Sequence, residues 1–280
     1  MAFLVPAAVF PAPPTVAIAP GAREFAYGRD PLQRLDFYAA ARGTRPPLVV
    51  FVHGGGWKRG DKGNATGDAK VLHFTGSGYA FASIDYRLVP DHRVEEQAQD
   101  VADALGYLVA HAGELGFDPR NIVLMGHSAG AHLAALVSTD PRYLRAAGLG
   151  LNAIRGTVLL DGAAYDIPAQ MDEGVRFMQP TYREAFGEDP VRQRALSPSF
   201  QAGAPNVARF LVLHVDRDDG RRQSEELVRR LRAGGSDVTL HALPGSGLRG
   251  HMQINRELGE PGYPGTAIVD AWIGGVFSRR

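Results

Sequence analysis

The sequence predicts an α/β fold built on a mostly parallel sheet with helices on both faces, and three observations predict it. Short apolar runs recur along the chain, helical periods lie between several of them, and a glycine-flanked serine sits at one strand-to-helix junction. The runs are PLVVFVH at 47–53, YAFASIDY at 79–86, NIVLMG at 121–126, IRGTVLLDG at 154–162, RFLVLHV at 209–215 and DVTLHAL at 237–243. Most of their positions are apolar on both sides of the alternation, the pattern of a strand buried on both faces. The helical periods are VEEQAQDVADALGYLVAHAGELG from 94, the segment after Ser128, SEELVRRLRAGG from 224 and TAIVDAWIGGVF from 266. Strands and helices in alternation give parallel neighbours, because a crossover helix returns the chain to the starting end of the sheet.

One interval departs from this rhythm. Residues 163–204, punctuated by Pro168, Pro180, Pro190 and Pro198, form a long insertion between two strands, and insertions of that length often act as lids. No repeat, low-complexity tract or linker divides the 280 residues, so they read as a single domain, with 1–45 as an N-terminal arm and first strands. The start, MAFLVPAAVFPAPPTVAIAP, is apolar but broken by prolines and without a basic flank. It reads as an extended arm, consistent with a cytoplasmic protein; the alternative is an export-signal remnant, which implies a periplasmic or secreted one.

Composition narrows the chemistry. Lys plus Arg and Asp plus Glu are 30 each, which gives no reason to expect a nucleic-acid partner. No apolar run approaches the roughly 18 residues that span a bilayer. Cysteine is absent, so thiolate nucleophiles, disulfides and cysteine-ligated metals are excluded. Serine, histidine and carboxylate chemistry remain.

In NIVLMGHSAGAHLAALV, an apolar strand runs into Gly126-His127-Ser128-Ala129-Gly130 and a helix rich in small residues begins at once. This G-x-S-x-G turn between strand and helix is a nucleophile elbow, so tight that its flanking positions have no room for side chains. It presents the Ser128 hydroxyl beside the positive end of a helix. Upstream, FVHGGGWKRGD places three glycines directly after a strand. Ordering glycine is entropically costly, and bare backbone there suits an oxyanion hole: the N–H groups of Gly55 and Gly56, with that of Ala129, are the expected donors. His53 reads as a scaffold residue, and Trp57 as a candidate wall of the substrate pocket. Neither G-K-[ST] nor G-x-G-x-x-G accompanies the loop, so it does not read as a phosphate cradle.

A serine nucleophile needs a base and an acid later in the chain. Of His214, His241 and His251, the first two fall inside strands, whereas His251 lies in PGSGLRGHMQIN, read as a loop after the last strand. His251 is therefore the expected base, with His127 and His132 structural; five residues apart, they do not share a helical face as metal ligands. For the acid, the run DRDDG after RFLVLHV offers Asp216, Asp218 and Asp219.

HGGGW, DYRL at 85–88, LGFDPRNIVLMGHSAGAHLAAL and the late LVLH-x-D-x-D region resemble the α/β-hydrolases, in the carboxylesterase branch that also holds arylformamidases. The likeness runs from about Pro46 to the C-terminus. It implies an eight-stranded sheet, a Ser-Asp-His triad in that chain order, and neither cofactor nor metal. Relatives read H-G-x-x-D after the strand, which maps the acid onto Asp218, although Val215 stands where glycine is usual. The expected activity is hydrolysis of small acyl or aryl esters; an arylformamidase-type amidase and a non-catalytic hydrolase-fold binding protein are the alternatives. Within the lid, Phe177 and Tyr182 are expected to join Trp57 against the substrate. The expected partner is a small-molecule ester, and a homodimer is compatible with the sequence.

Overall fold

The computed structural model describes residues 21–278 apart from positions 64, 175 and 204, so the expectations on the first twenty residues lie outside the described ones. Two short strands, β1 (Arg23–Ala26) and β2 (Arg34–Tyr38), begin one sheet. It continues through β3 (Leu48–Val52), β4 (Ala80–Ile84), β5 (Ile122–His127), β6 (Gly156–Leu160), β7 (Arg209–Asp216) and β8 (Asp237–Ser246). The order across the sheet is β1-β2-β4-β3-β5-β6-β7-β8, antiparallel at β1·β2 and β2·β4 and parallel elsewhere. Each of the six apolar runs is a strand within a few residues of its expected bounds.

Helices fill the crossovers. In chain order they are α1 (Asp68–Gly76), α2 (Val94–Ala110), the short α3 (Ala112–Leu115), α4 (Ala129–Thr139) and α5 (Pro141–Ala146). Residues 163–204 hold α6 (Ile167–Glu173), α7 (Gln179–Phe186), α8 (Pro190–Ala195) and α9 (Pro198–Gln201). After β7 come α10 (Asp218–Ala233), then α11 (Gly247–Arg256) and α12 (Pro264–Ser278) beyond β8. The four prolines of the insertion start helices: each stands in the first positions of α6, α7, α8 or α9, where a missing N–H leaves no intrahelical bond unmade. Asp166 and Asp189 cap two of them through their side chains.

Successive strand residues feed opposite cores. Val50, Leu124, Leu159 and Val212 pack with Leu105, Leu133 and Leu227 of α2, α4 and α10. Their strand neighbours Phe51, Met125, Val158 and Leu213 pack with Phe74 of α1 and with Val269 and Ile273 of α12. Helix α4 is buried along its whole length, which its run of small residues permits. Between the two layers, the carboxyl ends of β3, β5, β6 and β7 open on one edge, and the candidate residues gather there. No described helix is long and apolar enough to cross a membrane.

Candidate active site

Ser128 sits between β5 and α4 with φ 55° and ψ −120°, a conformation that is costly for a residue with a side chain. The turn is held by close packing of bare backbone. A Cβ at Gly126 would lie 2.2 Å from the Gly130 carbonyl oxygen, and one at Gly130 would lie 2.2 Å from that of Val52. The spacing G-x-S-x-G is therefore a packing requirement at both ends.

Facing it, Gly55 and Gly56 adopt φ values of 131° and 63°, and a Cβ at Gly55 would overlap the Arg59 carbonyl at 1.8 Å. His53 steadies this loop: its Nδ1–H donates to Gly54 O at 2.7 Å, its ring stacks on Tyr86 at 4.4 Å, and burial pushes its pKa down to about 4. It stays a neutral scaffold residue at working pH.

His251 Nε2 accepts from Ser128 Oγ at 3.0 Å, while its Nδ1–H donates at 2.6 Å to a carboxylate oxygen. That oxygen belongs to Asp161, and the expectation of Asp218 is corrected. The Asp218 side chain is 82% exposed and lies 3.6 Å from Arg221. The reason is local. Helix α10 begins at Asp218, six residues before the period read from the sequence, so no loop remains in which this carboxylate could swing toward the histidine. Asp216 is the exposed last residue of β7, and Asp219 pairs with Arg217 at 3.4 Å.

Asp161 directly follows β6, with φ 43°. Its Oδ1 accepts from Val215 N–H at 3.1 Å and its Oδ2 from Arg217 Nε at 2.9 Å as well as from His251. Burial pushes its carboxyl up, but these three donors outweigh burial and hold it below the usual carboxylate range. Sequence reasoning passed over it as the end of a strand. The available signal was an aspartate at the carboxyl end of the strand next to the nucleophile's, facing the same edge. The two positions are fixed by the sheet: His127 pairs with Leu160, and the Ser128 N–H donates to Leu160 O at 3.1 Å.

His251 stands in α11, not in a loop; residues 247–250 form the helix's first turn. His127 Nε2–H donates to the His251 carbonyl at 2.9 Å, clamping that helix above the elbow, and burial holds this imidazole neutral. His132 Nδ1 accepts from Trp57 Nε1 at 3.2 Å and its Nε2–H donates to Leu196 O at 2.9 Å, so one buried imidazole ties the glycine loop, α4 and the 163–204 segment together. Both histidines are structural in this geometry.

A cleft of about 470 Å³ opens on Ser128 and His251, walled by Gly56, Trp57, Phe177 and Tyr182. A second lobe of about 460 Å³ reaches the same serine and histidine; it shares Gly56, Phe177 and Leu248 with the cleft and extends to Gly55, Thr66 and Met252. All three expected pocket residues thus line the cleft, but unequally: Phe177 is 65% exposed at the mouth, whereas Tyr182 and Trp57 are buried and pack near each other at 6.1 Å.

Comparison with known proteins agrees with this architecture. The BD-FAE family model matches residues 35–145. Esterase LipC of Mycobacterium tuberculosis is 32% identical over 80% of the chain and 59% of its own length. A probable isoprenylcysteine α-carbonyl methylesterase of Arabidopsis thaliana is 31% identical over 68% of the chain and 41% of its own length. The chain thus spans about half the length of these curated relatives. Among solved structures, esterase B of Lactobacillus rhamnosis superposes with a TM-score of 0.74 at 24% identity, covering 91% of this chain and 84% of that one. With its sheet order, its elbow after β5 and these likenesses, the chain has the α/β-hydrolase fold and is similar to esterases.

Proposed function

We propose that the chain is a serine esterase acting on small acyl or aryl carboxylic esters, with Ser128, His251 and Asp161 as its triad. The observation that carries this reading is the continuous relay from Ser128 Oγ through His251 to Asp161, 3.0 and 2.6 Å long, in a cleft. The base withdraws the Ser128 proton through Nε2 as Oγ attacks the carbonyl carbon. Negative charge on the carbonyl oxygen is met by the N–H groups of Gly55, Gly56 and Ala129, whose backbone is fixed before substrate arrives. Collapse expels the alcohol, which takes the proton from His251; water activated by the same nitrogen then releases the acid and restores Ser128. Asp161 holds the imidazole in the tautomer with Nε2 free and stabilises the imidazolium formed in each half-reaction.

The space that reaches Ser128 supports an ester with substituents larger than a formyl group. A formyl group needs almost no acyl space, so a cleft of about 470 Å³ beside Ser128 favours esters over N-formyl aryl amides. Helices α6–α9 act as a lid in this reading, with Phe177 at the entrance. The test is turnover of a chromogenic acetate ester by native protein and by Ser128→Ala, alongside a panel of esters and N-formyl anilides. Ester hydrolysis should fall by several orders of magnitude in the variant without loss of fold; native turnover by folded Ser128→Ala would refute the mechanism.

A further inference from the structure

We infer that Arg217 is a positioning residue for the triad: it holds Asp161 against His251 and sets the pH range in which the base works. This rests on the proposed triad. The sequence leads one to expect an acid just after β7; the structure puts a cation there that grips the acid supplied by β6.

Arg217 is the single residue between β7 and α10. Its Nε donates to the same Asp161 oxygen that accepts from His251 Nδ1. On its far side it meets Asp219. The side chain is only 13% exposed, and α10 makes room for it: a Cβ at Gly220 would lie 2.7 Å from Arg217 Nη2. The same bend holds the other carboxylate oxygen, because Arg217 N–H donates to Val215 O at 2.8 Å while Val215 N–H donates to Asp161 Oδ1. Both oxygens of Asp161 are therefore anchored from residues 215–217.

A carboxylate oxygen shared with a permanent cation offers less negative charge to a forming imidazolium than an unshared one does. The other titratable groups nearby do not take this part. His127, its ring 4.6 Å from that of His251, is kept neutral by burial, and the Tyr165 and Tyr263 phenols near Asp161 are pushed up by burial. Lys70 Nζ donates to the Thr66 and Asn255 carbonyls and not to Asp161, and Asp219 lies beyond the guanidinium. Among the described residues, Arg217 is the arginine or lysine paired with Asp161.

The test follows kcat/KM for a slow chromogenic ester from pH 5 to 9 in native protein, Arg217→Gln and Arg217→Lys, with Asp161→Asn alongside. Loss of the cation in Arg217→Gln should raise the midpoint of the pH profile by about one unit, so activity falls about tenfold more at pH 6 than at pH 9. Arg217→Lys keeps the charge but loses the planar fork: its midpoint should stay within about 0.3 unit while kcat drops about fivefold at unchanged KM. A Gln variant with the native midpoint, or a Lys variant with native kcat, overturns the inference, and the second result decides even if Arg217→Gln is too unstable to assay. Loss of melting temperature with an unmoved midpoint would mark a purely structural ion pair and also overturn it. If Asp161→Asn keeps native turnover, the triad reading itself fails; if it collapses while both Arg217 variants behave as native, only the role of Arg217 fails.

Discussion

Replacing Asp161 by asparagine tests the site at its most informative point. The carboxylate receives three donors: Val215 N–H on one oxygen, His251 Nδ1–H and Arg217 Nε–H on the other. An amide can keep only one acceptor. With its oxygen toward His251, its NH2 confronts the Val215 N–H; turned over, the NH2 confronts both His251 and Arg217 and favours the tautomer that cannot accept the Ser128 proton. The charge is lost in either orientation. A unit charge about 4 Å from the imidazolium, at an effective dielectric of about 20, is worth about 4 kcal/mol, and sharing with Arg217 brings that to roughly 2–4. Adding the tautomer penalty, kcat should fall by about three to four orders of magnitude, comparable with the same change in serine proteases. The assay is steady-state hydrolysis of a chromogenic acetate ester on protein shown by circular dichroism to be folded. Asp218→Asn is the control and should stay within about twofold of native, since its carboxylate is exposed. Near-native kcat in folded Asp161→Asn, or a collapse in Asp218→Asn instead, would refute the reasoning.

Two further outcomes are expected. Phe177→Ala, at an exposed position on the cleft mouth, should change acyl-chain preference with little change in melting temperature, whereas Tyr182→Ala, at a buried one, should cost about 3–5 kcal/mol of stability; equal melting temperatures for the two would contradict the packing described. Lys70 is buried and its pKa is pushed from 10.5 down to about 7 by loss of solvent. Between those values the unfolded chain holds a proton that the folded one lacks, so stability should rise with pH across the window. Chemical denaturation at pH 7 and pH 10 should show that rise in native protein and a flatter response in Lys70→Met.

Most of the sheet was legible because a strand buried on both faces has few polar positions, and a serine between glycines at a strand end has few other uses. His251, expected after the last strand, does lie beside Ser128, although the SGLRG segment turned out to begin a helix: Gly247, with φ 54°, starts the turn instead of extending the loop. The acid was misplaced because short-range pattern could not tell where β7 stops and α10 starts. Asp218 and Asp219 are good first-turn residues beside a helix N-terminus, and that local preference drew the helix up to the strand. Asp161 was invisible for the opposite reason. Nothing in IRGTVLLDG distinguishes a carboxylate that partners the histidine from one that only ends a strand; its place in the proposed triad comes from contacts with residues 54 and 90 positions away. The insertion's prolines read as irregularity, yet each opens a helix.

Seating the acid of the proposed triad on β6 divides that machinery into a part that cannot drift and a part that can. Nucleophile and acid hang from adjacent rungs of one hydrogen-bonded ladder, so their separation is inherited from the spacing between neighbouring strands and does not depend on the length or composition of any surface loop. Beyond Arg217, the start of α10 lies outside the proposed relay, yet its Asp218 and Arg222 border the cleft. For an engineer, those two positions are where randomised libraries can reshape substrate preference without touching the relay, and over evolutionary time they are where related chains can diversify while the chemistry stays put.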